Sequence, residues 1–180
     1  MLASILHVSF AGAAPLLQSI GLRAASAPLV TMQARAEDMQ DVAELHAACF
    51  RRAWSVNEIA RLADRSGGTV WLAREEGRGR ERPLGFLILS QAADEAEIVS
   101  VGVDPRARGR GVGGALVREA IRTAHADRAA ALFLEVDETN EAALALYRRL
   151  RFREVGERAG YYARDGAPAS RALVMRLDLR

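Results

Sequence analysis

The segment from Ile98 to Val136 constrains the fold more than any other part of the chain. It holds an apolar strand, "IVSVGVD", a loop of arginines and glycines, "PRARGRGVGG", then a helix and a second strand, "ALFLEV". Leu116, Val117, Ala120, Ile121 and Ala124 recur at helical spacing and share one face from about Gly113 onward. "ALFLEV" is almost wholly apolar, as strands buried on both faces of a parallel sheet are. Strand, amphipathic helix and buried strand in that order make a βαβ unit with a right-handed crossover. The expected fold class is therefore α/β, a twisted mixed sheet flanked by helices.

The flanking segments extend this pattern. "PLVTMQAR" reads as a first strand, and Val42, Leu45, Cys49 and Phe50 mark a helix over Asp38 to Phe50. Ser55 with Glu58 three residues on is a capping box, with Trp54 placed to staple onto Ile59 and Gly67-Gly68 as the stop. "TVWLARE" and "PLGFLILSQ" predict a hairpin around the charged turn "EGRGRER". Ala143, Leu146, Tyr147 and Leu150 mark a last helix. Two final strands are expected near Phe152–Glu157 and Arg171–Leu177, joined by the loop "RAGYYARDGAPAS". No repeat or interdomain linker interrupts residues 28–180, which are expected to form one domain.

Residues 1–27 differ from the rest. They contain no acidic residue, and Arg23 is their only basic one. A secretory signal needs a basic start before its apolar run, which is absent here. A membrane helix needs about 20 unbroken apolar residues, and His7, Ser9, Pro15, Gln18 and Ser19 interrupt this stretch. The favoured expectation is a dispensable extension, or a start assigned too early, with Met32 or a site just before it as the alternative. The net charge of +2 gives no global pull toward nucleic acid. Cys49 is the single cysteine, which excludes an internal disulfide and is compatible with a reducing cytoplasm. Its apolar setting suggests a core thiol. His7, His46 and His125 are too scattered to form a ligand cluster, so no metal is expected. No membrane partner is expected, and nothing in the sequence specifies an oligomeric state.

Three readings of the glycine-arginine loop are open: an anion cradle, an RG-type RNA segment, or a plain βα connection. Free N–H groups and the helix dipole favour negative charge at a strand-to-helix turn, and arginines match phosphate oxygens. The helical periodicity that follows favours the cradle. "GRGVGG" lacks the Gly-Lys-Ser/Thr of a Walker loop, and Glu135, the acid that ends the next strand, lies too far downstream to serve as the ribose ligand of a dinucleotide fingerprint.

"IVSVGVDP" followed by Arg108-Gly109-Arg110-Gly111-Val112-Gly113 resembles the acetyl-CoA motif of the GNAT N-acetyltransferases, Arg/Gln-x-x-Gly-x-Gly/Ala. "HAACFRRAWSVNEI", "FLEVDETNEAALALYRRLRF", "EVGERAGYY" and "ALVMRL" resemble, more narrowly, the RimI group of bacterial ribosomal-protein alanine N-acetyltransferases. The resemblance spans Pro28 to Leu179. It implies acetyl-CoA as co-substrate, held by the loop from Arg108 through Gly109, Arg110, Gly111, Val112 and Gly113 to Gly114. It further implies that two parallel strands splay, so that Val101, Gly102 and Val103 present N–H groups to pantetheine and the thioester oxygen. Gly102 is either needed for a close approach or is a bulge glycine.

The catalytic residues divide in the same way. Glu135 ends the buried strand at the sheet's C-terminal edge, where open α/β folds place ligands. A carboxylate there is a general base raised by desolvation or a solvated strand end, and position alone does not choose. The resemblance implies the base. Tyr147 is by spacing a core aromatic; the resemblance implies a general acid for the coenzyme A thiolate. Asn140 is by position a helix cap; the resemblance adds a coenzyme contact. Where relatives read Leu-Gly-Phe this chain reads Leu150-Arg151-Phe152, which places a non-glycine at an expected left-handed helix end. The implied acceptor is a protein N-terminus, the N-terminal alanine of small-subunit ribosomal protein eighteen, acetylated by direct transfer in a ternary complex. Another amine acceptor, a non-catalytic acyl-CoA module and an RNA-binding module are the rival expectations.

Overall fold

The computed structural model describes residues 7–9, 27–77, 82–164 and 167–180, with backbone alone for 7–9, 159–164 and 167–169. Eight strands form one mixed sheet: β1 (His7–Ser9), β2 (Leu29–Gln33), β3 (Gly68–Glu75), β4 (Gly85–Ala92), β5 (Glu95–Val103), β6 (Ala131–Asp137), β7 (Arg153–Arg164) and β8 (Ala167–Asp178). The order across the sheet is β2-β3-β4-β5-β6-β8-β7, with β1 off this path and paired to β5. β5 and β6 run parallel, joined through a helix as the βαβ pattern requires, and the other pairs along the path are antiparallel.

The two faces of the sheet carry separate cores because the central strands are apolar on both sides. In β4, Phe86 and Ile88 pack on one face while Leu87 and Leu89 pack on the other. The helices α1 (Met39–Cys49) and α2 (Val56–Ala63) cover the Phe86 face with Val42, Leu45 and Ile59. The helices α3 (Val112–Ala126) and α4 (Glu141–Arg149) cover the opposite face with Leu116, Val117, Ala120 and Tyr147. Ile121 is half-buried at the margin of the α3 stripe.

Local signals act where the sequence places them. Ser55 Oγ accepts from Glu58 N, and Glu58 Oε2 accepts from Ser55 N at 2.7 Å, so both halves of the capping box are made. Trp54 packs onto the core that holds Ile59. α1 begins one residue later than expected, after a 3-10 turn over Ala36–Asp38. Buried Arg74 is bound to Asp38 at 3.0 Å, which ties that turn to β3.

The tail requires a correction. The expected loop from Arg158 to Ser170 is mostly paired strand, because β7 and β8 form a long antiparallel ribbon with only residues 165–166 between them. The register shifts between Arg158 and Tyr162 and again before Arg164. These irregularities let Gly160 and Pro168, which composition marks as turn residues, sit within paired strands. Residues 78–81 of the "EGRGRER" turn lie outside the described residues, as do 1–6 and 10–26 of the extension.

Candidate active site

The parallel pair at the centre of the sheet comes apart. β5 and β6 pair from Glu95–Ala131 to Ile98–Leu134. Beyond that point β5 continues to Val103, while β6 stays with β8 through Asp137. The expected splay thus opens at Glu135, with Val101, Gly102 and Val103 on the β5 side. β1 lies along this side, pairing His7 with Ser100, Val8 with Val101 and Ser9 with Gly102.

At the end of β5, Asp104 caps a 3-10 turn and accepts from Arg106 N at 2.9 Å. The chain then crosses Gly109 at φ +75° and Gly111 at φ +84° into α3. Gly111 is the helix N-cap, in a left-handed conformation that disfavours any side chain. A Cβ on Gly109 or Gly111 would meet nothing within 4 Å, so the loop presents bare backbone to open space. Val112, Gly113 and Gly114 follow, buried, in the first turn of α3. First-turn N–H groups have no partner within the helix, and the helix dipole adds positive character. An uncovered donor set of this kind suits a pyrophosphate. Val112 anchors the helix start: a Cβ on Gly85 of β4 would lie 2.8 Å from Val112 Cγ1.

The arginines behave individually. Arg106 is exposed. Arg108 is half-buried, and its guanidinium lies close enough to Cys49 to favour the thiolate. Burial outweighs it and pushes the thiol above its ordinary range. Cys49 Sγ donates to Val103 O at 3.3 Å, so this cysteine is a buried thiol beneath β5, as expected. Arg110 forms an ion pair with Glu75 of β3. Gly102 is explained by packing, since a Cβ there would lie 2.5 Å from Phe86 Cε1 and 3.1 Å from Cys49 Sγ. The β5 irregularity lies elsewhere, opposite Ile88 and Leu89.

Glu135 and Tyr147 are on opposite faces of the sheet. Glu135 is 4% exposed; its Oε1 meets Arg158 Nε of β7 at 3.0 Å. Its Oε2 has no hydrogen-bond partner among the described residues. Burial pushes the carboxyl above the ordinary glutamate range, Arg158 opposes that, and Glu97 adds to it. Tyr147 is fully buried against Phe152, ring centroids 5.8 Å apart, in the core under α3 and α4. Asn140 caps α4, its Oδ1 accepting from Ala143 N at 3.2 Å.

The Acetyltransferase (GNAT) family matches residues 39–152 of the chain. The N-alpha-acetyltransferase RimI of Mycobacterium tuberculosis is 39% identical over 123 residues, 68% of this chain and 70% of that protein. The chain belongs to the GNAT acetyltransferase family. A [ribosomal protein bS18]-alanine N-acetyltransferase of Haemophilus influenzae is 28% identical over 145 residues, 76% of this chain and 97% of that one. Among solved structures, the ribosomal-protein-S18-alanine N-acetyltransferase of Escherichia coli superimposes with a TM-score of 0.75 at 25% identity, covering 84% of this chain and 94% of that one.

As a GNAT acetyltransferase the protein uses acetyl-CoA as its co-substrate. Among the described residues, no group of three or more His, Cys, Asp or Glu side chains is placed to hold a metal ion. None of the described helices is long and apolar enough to cross a membrane. Two residues beside Glu135, Glu97 and Arg158, were not singled out from the sequence. Beside the splay, a cavity of about 290 Å³ is lined by Glu95, Glu97, Phe133, Glu135, Arg158 and Val174. Glu97 was detectable from strand alternation, since Ala96 and Ile98 are core residues on the other face. Arg158 was hidden by reading its segment as a loop.

Proposed function

We propose that this GNAT acetyltransferase is an Nα-acetyltransferase of a protein N-terminus, with the N-terminal alanine of small-subunit ribosomal protein bS18 as acceptor. The observation that carries the proposal is a buried Glu135, raised toward base strength, at the point where β5 and β6 part. The activities of the Mycobacterium, Haemophilus and Escherichia relatives support it. A ribosomal acceptor would be met in the cytoplasm.

Acetyl-CoA binds with its pyrophosphate over the backbone from Gly109 to Gly114 and its pantetheine along Val101–Val103. Arg108 and Arg110 supply cationic charge, and Asn140 holds the coenzyme beside the start of α4. The acceptor arrives from the α1/α2 face as R–NH3⁺. Glu135 takes one proton, directly or through water, and the neutral amine attacks the thioester carbon. The carbonyl oxygen becomes an oxyanion, which β5 N–H groups stabilise, and such preorganised donors are worth about 3 kcal/mol each. Collapse breaks the C–S bond, and the thiolate takes the phenolic proton of Tyr147. The second nitrogen proton leaves through tyrosinate or water, so that R–NH3⁺ and acetyl-CoA become R–NH–acetyl, coenzyme A and one proton.

A peptide panel differing only in the first residue tests the acceptor. Initial rates with acetyl-CoA are expected to be highest for the alanine-start peptide. Equal rates across the panel, or turnover confined to polyamines, would contradict the assignment.

A further inference from the structure

The cavity beside Glu135 has a charge pattern that transfer chemistry with a single base does not require. Ala96 and Ile98 of β5 are buried in the core under α3 and α4, so Glu95 and Glu97 face the other side. On β6, Leu132, Leu134 and Val136 belong to that same core, so Phe133 and Glu135 also face the cavity. Glu97 is in register with Phe133, which makes Glu135 its diagonal neighbour on the adjacent strand. Such diagonal neighbours lie about 7–8 Å apart, within reach of long side chains. Three glutamates and one arginine thus line a cavity of about 290 Å³ walled by Phe133 and Val174. α1 and α2 bury their apolar residues over β3, β4 and Val99, away from this cavity.

We infer that Glu97 is a positioning residue for the acceptor: with Glu135 it brackets the incoming ammonium, which replaces Arg158 as the cation beside Glu135. The inference rests on the amine-acetyltransferase assignment and deepens it. Two carboxylates on one face repel unless a cation lies between them. Arg158 now supplies that cation from the solvent side, its own side chain being largely exposed. Glu135 itself is buried, so Arg158 can withdraw only when another cation takes its place. A peptide α-ammonium brings the same charge on a smaller group, leaving Phe133 and Val174 to contact the apolar part of a first residue. The other charged groups on this face include Arg176 of β8, which lies over the Phe133 ring at 5.3 Å and pairs with Asp178 at 2.8 Å, Arg153 of β7, which pairs with the same Asp178 at 2.5 Å, and Asp137 of β6, which accepts from Ser170 Oγ at 3.0 Å. Each is engaged with a partner outside the cavity lining.

The test is steady-state kinetics of wild type, Glu97→Gln and Glu97→Asp with an alanine-start peptide, across pH. For Glu97→Gln the acceptor KM is expected to rise about tenfold, as when a charge-assisted contact is lost, with the KM for acetyl-CoA unchanged. Removing the Glu97 charge also eases ionisation of Glu135. The acid limb of kcat/KM therefore moves to lower pH in Glu97→Gln and stays at the wild-type position in Glu97→Asp. An active wild type whose Glu97→Gln variant keeps both the acceptor KM and the acid limb overturns this inference alone. Equal losses for the Gln and Asp variants, accompanied by weaker acetyl-CoA binding, overturn it in favour of a structural role. A wild type that transfers acetyl to no amine overturns the inference and the assignment together.

Discussion

Glu135 is a carboxylate held where ionisation is disfavoured, beside one arginine and one further acid. A general base is most useful when its pKa approaches the working pH, and desolvation moves Glu135 in that direction. The sign of the pH dependence follows. With Glu135 as the proposed base, turnover is expected to be lost as pH falls through its raised pKa, at a higher pH than an exposed glutamate would allow. Glu135→Gln is expected to lower kcat by about 10²–10⁴-fold and to remove the acid limb. Acetyl-CoA affinity measured by calorimetry should be retained. Near-native turnover in that variant would remove Glu135 from the mechanism. Glu135 was visible in the sequence as a polar residue closing an apolar strand. Its partners were not, because Glu97 and Arg158 approach from strands far apart in the chain, and only the sheet order makes them neighbours.

At the scale of elements, α3 and α4 show how much local chemistry determines. The glycines that open α3 adopt the positive φ values that a tight strand-to-helix turn demands. The end of α4 departs from that economy. Arg151 has φ +69°, the left-handed conformation that glycine adopts without a Cβ penalty, and its N–H donates to Arg148 O at 3.0 Å. Arg151→Gly is therefore expected to stabilise the protein by about 1 kcal/mol, read as a higher denaturation midpoint with unchanged kcat. A lower midpoint would show that the Arg151 side chain contributes more than its backbone costs. β1 presents a different case. It pairs along Ser100–Gly102, the edge proposed for pantetheine. A chain beginning at Pro28 is expected to unfold cooperatively and to have a lower KM for acetyl-CoA. A higher KM would mean that the extension helps to form the site. The β7–β8 ribbon was the element least legible in sequence. Glycine, proline and charged residues mark turns when read locally, and the long-range pairing of an irregular ribbon overrides them.

At the scale of the whole molecule, one break in a parallel pair organises the protein. The βαβ unit that made the fold readable also places the glycine turn, the end of β5 and Glu135 around the same opening. The two sheet faces divide the candidate residues, one carrying Tyr147 and α3, the other carrying the acidic cavity. What periodicity left unread was this division, since it depends on which face of β5 and β6 each helix covers. An amine entering by the acidic face is therefore expected to receive an acetyl group delivered through the splay. The most direct measurement uses labelled acetyl-CoA and an alanine-start peptide that also contains an internal lysine, with the acetylated atom located by tandem mass spectrometry. Label is expected on the α-nitrogen of the alanine and none on an otherwise identical peptide with a blocked N-terminus. Label on the lysine side chain, or equal labelling of the blocked peptide, would contradict it.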